Sequence, residues 1–106
     1  MLNFIASPVY LACGATDMRK SIDGLAAMVQ EQFGLNPFSL ALFVFCNRRR
    51  DKLKILHWDH AGFWLYYRRL ERGSFQWPAG GTALPIPYYT KHYPLCSNLD
   101  FGYSRY

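Results

Sequence analysis

Acidic residues are scarce: seven Asp and Glu stand against twelve Lys and Arg in 106 residues, giving a net charge of +5. With so few carboxylates, none of them grouped as a metal-binding set, two-metal hydrolysis and paired-carboxylate chemistry have no candidate residues. Cysteines number three, Cys13, Cys46 and Cys96, an odd count without any close pair. That argues against a secreted disulfide scaffold and for a reducing cytoplasm, where Cys13 and Cys46, lying in expected strands, act as small buried hydrophobes. No apolar run approaches the ~18 residues of a membrane span. Cys13 follows Leu11 and Ala12, but no base precedes it and Pro8 interrupts the stretch, so a cleaved leader fits poorly. Gly80 and Gly81 have no Lys-Ser or Lys-Thr behind them, which excludes a phosphate loop of the P-loop kind. The expectation is a cytoplasmic protein without cofactor or active site.

Aromatic residues, by contrast, are abundant at 18% of the chain, and the apolar class reaches 51%. This composition suits one small ordered domain, expected over residues 1–86, and leaves no room for a deep interdomain cleft. From Pro87 to Tyr106 tyrosine and proline dominate without periodicity. An extended or partly disordered tail is expected over 87–106.

The elements follow from periodicity. Val9 to Ala12 reads as a short strand ending near Gly14. Thr16 is placed to cap a helix in which Met18, Ile22, Leu25, Ala26, Val29 and Phe33 recur every three or four residues, and Gly34 suits a left-handed stop. The next forty residues switch to strand character: Leu40 to Cys46, Lys52 to Trp58, Phe63 to Leu70 and Ser74 to Trp77, separated by short connections. The resulting expectation is an α+β fold, one amphipathic helix packed on a predominantly antiparallel β-meander. Met18, Ile22, Leu25, Val29, Phe43, Phe45, Ile55 and Leu65 should be largely buried. If Asp59 to Gly62 forms the turn, Trp58 faces Phe63, Leu56 faces Leu65, Lys54 faces Tyr67 and Lys52 faces Arg69. The face bearing those lysines should then be wet, and His57, Trp64, Ile55, Tyr66, Leu53 and Arg68 lie on the other.

Between Asn47 and Arg72, eight bases meet three acids, a surplus equal to the net charge of the whole chain. Guanidinium and ammonium groups so concentrated neutralise phosphates and position a protein on nucleic acid. The expected contacts are Arg48, Arg49 and Arg50 at a hairpin tip, then Lys52, Lys54, Tyr67, Arg68, Arg69 and Arg72, with Arg19 and Lys20 as second-rank contacts beside Asp17 and Asp23. A basic hairpin edge also resists aggregation by its charge alone, which is the plainer structural explanation. His57, Asp59 and His60 are chemically suited to a metal, but a strand followed by a turn does not aim them together; His57 is expected to pack near Trp64, with His60 exposed.

Three stretches are specific beyond composition: VYLACGATDMRKSIDGLAA from Val9 to Ala27, LFVFCNRRRDKLKILHWD from Leu42 to Asp59 and YYRRLERGSFQWP from Tyr66 to Pro78. In this order they closely resemble the small accessory protein, often labelled TnpB, encoded by the second reading frame of IS66-type bacterial insertion sequences. The resemblance spans about Val9 to Ile86. It implies a transposition accessory factor that works beside a separate, larger transposase, with element DNA and that transposase as partners. After Ile86 the chain departs from the leucine-rich helical segment usual in the family, which implies that Leu42, Val44 or neighbouring apolar positions are left uncovered. The alternative to DNA contact is an adaptor whose basic face docks on the transposase without nucleic acid.

Overall fold

The computed structural model describes residues 7–78 and the strand at 93–95. Its order is β1 (Val9–Ala12), α1 (Ile22–Gln32), β2 (Leu42–Cys46), β3 (Lys52–Trp58), β4 (Phe63–Arg69) and β5 (Tyr93–Leu95). The sheet runs β4-β3-β2-β1-β5. Strands β2, β3 and β4 form the expected antiparallel meander, and its register at the β3–β4 turn is the expected one, Trp58 opposite Phe63 and Lys52 opposite Arg69. Strand β1 lies parallel to β2, with α1 in the connection between them, and β5 adds parallel to β1 on the far side. The fold is therefore a small α+β domain with one helix on a mostly antiparallel sheet.

Helix α1 covers the face that carries Tyr10, Ala12, Phe43, Phe45 and Leu56, burying Leu25 and Val29 completely against them. Tyr10 stacks on Phe43 with ring centroids 5.5 Å apart. The sheet's other face holds a second cluster, Leu11, Val44, Cys46 and Trp77, flanked by Val9, Leu53, Ile55 and Phe75. Of the positions expected to be buried, Leu25, Val29, Phe43 and Phe45 are so; Met18, Ile22, Ile55 and Leu65 are only partly covered. Leu42 and Val44, expected to be uncovered beside a divergent tail, are both buried.

Three further expectations need correction. The helix starts at Ile22, with Ser21 at the cap position, instead of following Thr16. Thr16 is buried and its N–H donates to the Cys46 carbonyl, while the carbonyls of Met18 and Lys20 accept hydrogen bonds from the Lys54 ammonium. Turned toward that cation, those carbonyls are unavailable for the i→i+4 bonds a longer helix requires. Second, Ser74 to Trp77 is not a strand. After Gly73, whose φ of 77° is the left-handed region, the chain crosses the helix-free face, where Trp77 buries its ring and donates Nε1–H to the Ala12 carbonyl at 2.8 Å. A large ring with one donor gains more from that pocket than the segment would from an edge ladder. Third, the Lys52 and Lys54 face of β3 is the face that α1 covers, so it is not the wet one. The helix stop is as expected: Gly34 has φ of 65°, and Leu35 N–H donates to the Val29 carbonyl. Apart from β5, the segment over 87–106 and Cys96 lie outside the described residues.

Candidate nucleic-acid interface

The β2–β3 turn is built by Asn47. Its side-chain oxygen accepts the N–H groups of Asp51 and Lys52, both at 3.0 Å, and its amide donates to Asp51 Oδ1 at 2.7 Å. This amide hydrogen bond holds the Asp51 carboxyl below the usual carboxylate range. The acid is thereby occupied within the turn. Arg48 and Arg49 project from it exposed, and Arg50 adopts a positive φ of 60°. Such a backbone is costly for a residue with a Cβ and turns the chain sharply back into β3.

Two main-chain hydrogen bonds bring the second basic segment to the same place. Leu70 N–H donates to the Asp51 carbonyl at 2.7 Å, and Phe75 N–H donates to the Arg50 carbonyl at 2.7 Å. The Arg48–Arg50 turn and the Arg68–Phe75 segment therefore share one end of the sheet. Arg19 and Lys20 join it through the Thr16–Cys46 and Lys54 bonds. Ten of the chain's twelve Lys and Arg residues thus belong to the elements of this end. Arg48, Arg49, Arg68 and Arg72 are exposed and make no salt bridge among the described residues.

The remaining bases differ in what they already hold. Arg19 is clasped by Asp17 through its side chain and main chain, at 2.8 Å for the shortest contact, and that pairing holds the Asp17 carboxyl far below its usual range. Arg69 pairs with Glu71 at 2.9 Å, and Lys52 lies 3.7 Å from Asp51. Lys54 is brought to the end of the sheet but not to its surface chemistry: two carbonyls hold its ammonium at 2.7 and 2.8 Å, and the same group lies 5.7 Å from the centre of the exposed Tyr67 ring. A lysine among strand positions gives no sign in sequence of such a bond across 34 residues.

The opposite end of the sheet is aromatic. Phe38, Trp58 and Phe63 meet edge to face or tilted with centroids 5.0 to 5.3 Å apart, and Phe38 stays 54% exposed. Asp59 accepts from the N–H groups of Ala61 and Gly62 and from Trp64 Nε1, bonds that lower its pKa. The carboxylate thus braces the β3–β4 turn. His57 is buried with Nδ1 3.3 Å from the Ala41 carbonyl, and His60 sits exposed in the turn with φ of 81°. His57 is thus a packing residue beside its cross-strand neighbour Trp64, and His60 an exposed turn residue. Cys13 and Cys46 are buried, and burial pushes the Cys46 thiol up to about 12, so it carries no thiolate at neutral pH.

The profile of the IS66 Orf2-like proteins matches residues 7–90, a span that takes in both the basic end and the Trp-Pro segment. The chain belongs to the IS66 Orf2-like family. Membership gives this protein a transposition-associated accessory role. Among curated proteins it is similar to the uncharacterized protein y4hO of Sinorhizobium fredii, 43% identical over 98 residues, covering 92% of this chain and 84% of that protein. The uncharacterized protein y4jC of the same organism is 33% identical over 70 residues, covering 66% of this chain and 60% of that protein. No solved structure matches. Among the described residues, no helix is long and apolar enough to cross a membrane.

Proposed function

We propose that this IS66 Orf2-like protein is a non-catalytic accessory factor that contacts the phosphates of element DNA through the basic end of its sheet. The observation that carries the reading is the convergence of Arg48, Arg49, Arg68 and Arg72, exposed and without salt bridges among the described residues, at one end joined by the Leu70–Asp51 and Phe75–Arg50 hydrogen bonds. Exposed guanidinium groups on a braced turn offer bidentate donors to a polyanion with little side-chain desolvation. Arg50, Lys52 and Arg69 extend the positive field, with Arg19 and Lys20 at its margin. Lys54 belongs to the framework because its ammonium is already engaged by two carbonyls. Tyr67, exposed beside it, is available to pack against a sugar or base.

The test is fluorescence anisotropy with labelled duplex DNA, single-stranded DNA and RNA across a salt series, using the parent chain and an Arg48→Ala, Arg49→Ala, Arg72→Ala variant. Binding should weaken with salt, and the variant's slope on duplex should be shallower by roughly 0.9 for each phosphate that the missing arginines no longer neutralise. A folded parent that binds none of the three at low salt refutes the reading. Capture of the transposase that survives nuclease treatment would then favour the adaptor role, in which the same basic face docks on the transposase without nucleic acid.

A further inference from the structure

Strand β4 forms one edge of the sheet, and among the described residues nothing pairs with its outer side. It is seven residues long, FWLYYRR, without proline, glycine or bulge, and its register with β3 is unbroken from Lys52–Arg69 to Trp58–Phe63. Natural edges are usually blunted by proline, bulges or charges along their length. Here the charge is confined to Arg68 and Arg69 at one end. Trp64 and Tyr67 on this strand are 47% and 55% exposed, which leaves large rings open to solvent along the edge.

The main chain fixes how a second strand could join. Leu70 N–H bonds to Asp51 and Asp59 N–H bonds to Gly62, at the two ends of the β3–β4 ladder. Alternation between these points turns the main-chain groups of Trp64, Tyr66 and Arg68 toward β3. Those of Phe63, Leu65, Tyr67 and Arg69 then face outward. In an antiparallel pair of identical strands centred on Tyr66, all four outward positions find partners: Leu65 with Tyr67, and Phe63 with Arg69. Any other symmetric register leaves part of the strand unpaired. A parallel pair would set the arginines beside their own copies, an unfavourable arrangement. The antiparallel pair instead sets Arg68 of each copy opposite Trp64 of the other, in the closer, non-hydrogen-bonded type of pair, where a guanidinium can lie on the indole face.

We infer that the protein forms a two-fold dimer by antiparallel pairing of β4 with β4 of a second copy, centred on Tyr66. The product is one continuous sheet with both helices on the same face. Ordinary strand rise, strand spacing and twist place the two Arg48–Arg50 turns roughly 30–35 Å apart. That is close to one turn of duplex DNA, about 34–36 Å, so two phosphate-contact ends would reach successive turns of one helix face. This last step rests on the proposed DNA contact; the dimer does not.

Size-exclusion chromatography with light scattering, without nucleic acid and across a concentration series, separates the two. The expected mass is twice the 12.3 kDa of the chain. Tyr67→Pro removes an outward N–H without touching the β3 ladder, and Trp64→Arg sets like charges opposite each other; each should weaken dimerisation about tenfold or more. Adding Arg68→Glu to Trp64→Arg should restore the dimer, since opposite charges then face each other in this register alone. A single-chain mass at every concentration, with circular dichroism showing a folded sheet, overturns the inference. So does a double mass unchanged in both single variants. Should either single variant unfold, failure of the double variant to dimerise counts against it. Loss of DNA binding with the dimer intact would instead count against the phosphate-contact reading.

Discussion

The ammonium of Lys54, on β3, donates to the main-chain oxygen of Met18 at 2.7 Å and so ties the loop before the helix to the basic end of the sheet. Its second bond, to Lys20 at 2.8 Å, completes a cradle in which one cation neutralises two carbonyl dipoles. This lysine therefore stabilises the fold although it lies within the most basic stretch of the chain. Lys54→Met keeps the stem and removes the donors. The variant should lose about 1–3 kcal/mol in urea unfolding, the range for a hydrogen bond to a charged group whose partners are left unsatisfied. Its salt slope on duplex DNA should match the parent's. A large change in slope with unchanged stability would instead make Lys54 a phosphate contact.

Arg50 offers the reverse separation. Its φ of 60° is unfavourable for any residue bearing a Cβ, while glycine adopts it freely. Arg50→Gly relieves that strain at some cost in unfolded-state entropy, so a gain of roughly 0.5–1 kcal/mol is expected. The same change removes one cation from the turn and should weaken DNA binding. Arginine at a strained position then has a functional explanation. Equal or lower stability in chemical denaturation would show that the Arg50 side chain contributes more than its backbone costs.

How far such roles are legible in the sequence depends on the range of the interaction that decides them. The β3–β4 register is legible, because Asp59 to Gly62 leaves the alternation of seven-residue strands only one in-phase pairing. The basic end is legible as charge clustering, since Arg48 to Arg50 and Arg68 to Arg72 are connected through a single meander. The helix start is not: Thr16 and Asp17 look like a cap, and only Lys54, 36 residues beyond Met18, diverts the carbonyls involved. Which face the helix covers is equally hidden. Lysines at alternate positions of β3 read as a wet face, but Leu56 on that same face belongs to the helix-side core, and Lys54 is satisfied by main-chain carbonyls. The parallel pairing of β1 with both β2 and β5 rests on contacts between distant segments that no local pattern encodes.

Trp77 is the other long-range tie. It is 4% exposed, lies among Leu11, Val44 and Cys46, and donates to Ala12 across 65 residues, while Pro78 accepts from Gly14 N–H at 3.0 Å. Trp77→Ala should cost about 3–5 kcal/mol, enough to leave a domain of this size near its unfolding threshold. Trp77→Phe keeps most of the ring but strands the Ala12 carbonyl, and about 1–3 kcal/mol is expected. Thermal melts should therefore place the alanine variant lowest, with the phenylalanine variant between it and the parent. A Trp77→Phe loss equal to that of alanine would place the hydrogen bond above packing.

Asp59 makes the stability of the aromatic end depend on pH. Hydrogen bonds from Trp64 Nε1 at 2.6 Å and from the N–H groups of Ala61 and Gly62 favour its ionised form, so its pKa is lower folded than unfolded. A depressed carboxylate contributes stability above the unfolded value, near pH 4, and the contribution fades as pH falls through the folded value. Asp59→Asn retains an acceptor without the charge and removes that titration. The parent should be the more stable protein in urea at pH 7, and the difference should shrink progressively once the pH drops below about 4. Trp64 fluorescence, reporting the indole whose N–H the carboxylate holds, should shift over the same acidic range in the parent alone. A difference that stays constant down to the acid limit would show that Asp59 acts through shape and neutral hydrogen bonding, with its charge contributing nothing to the turn.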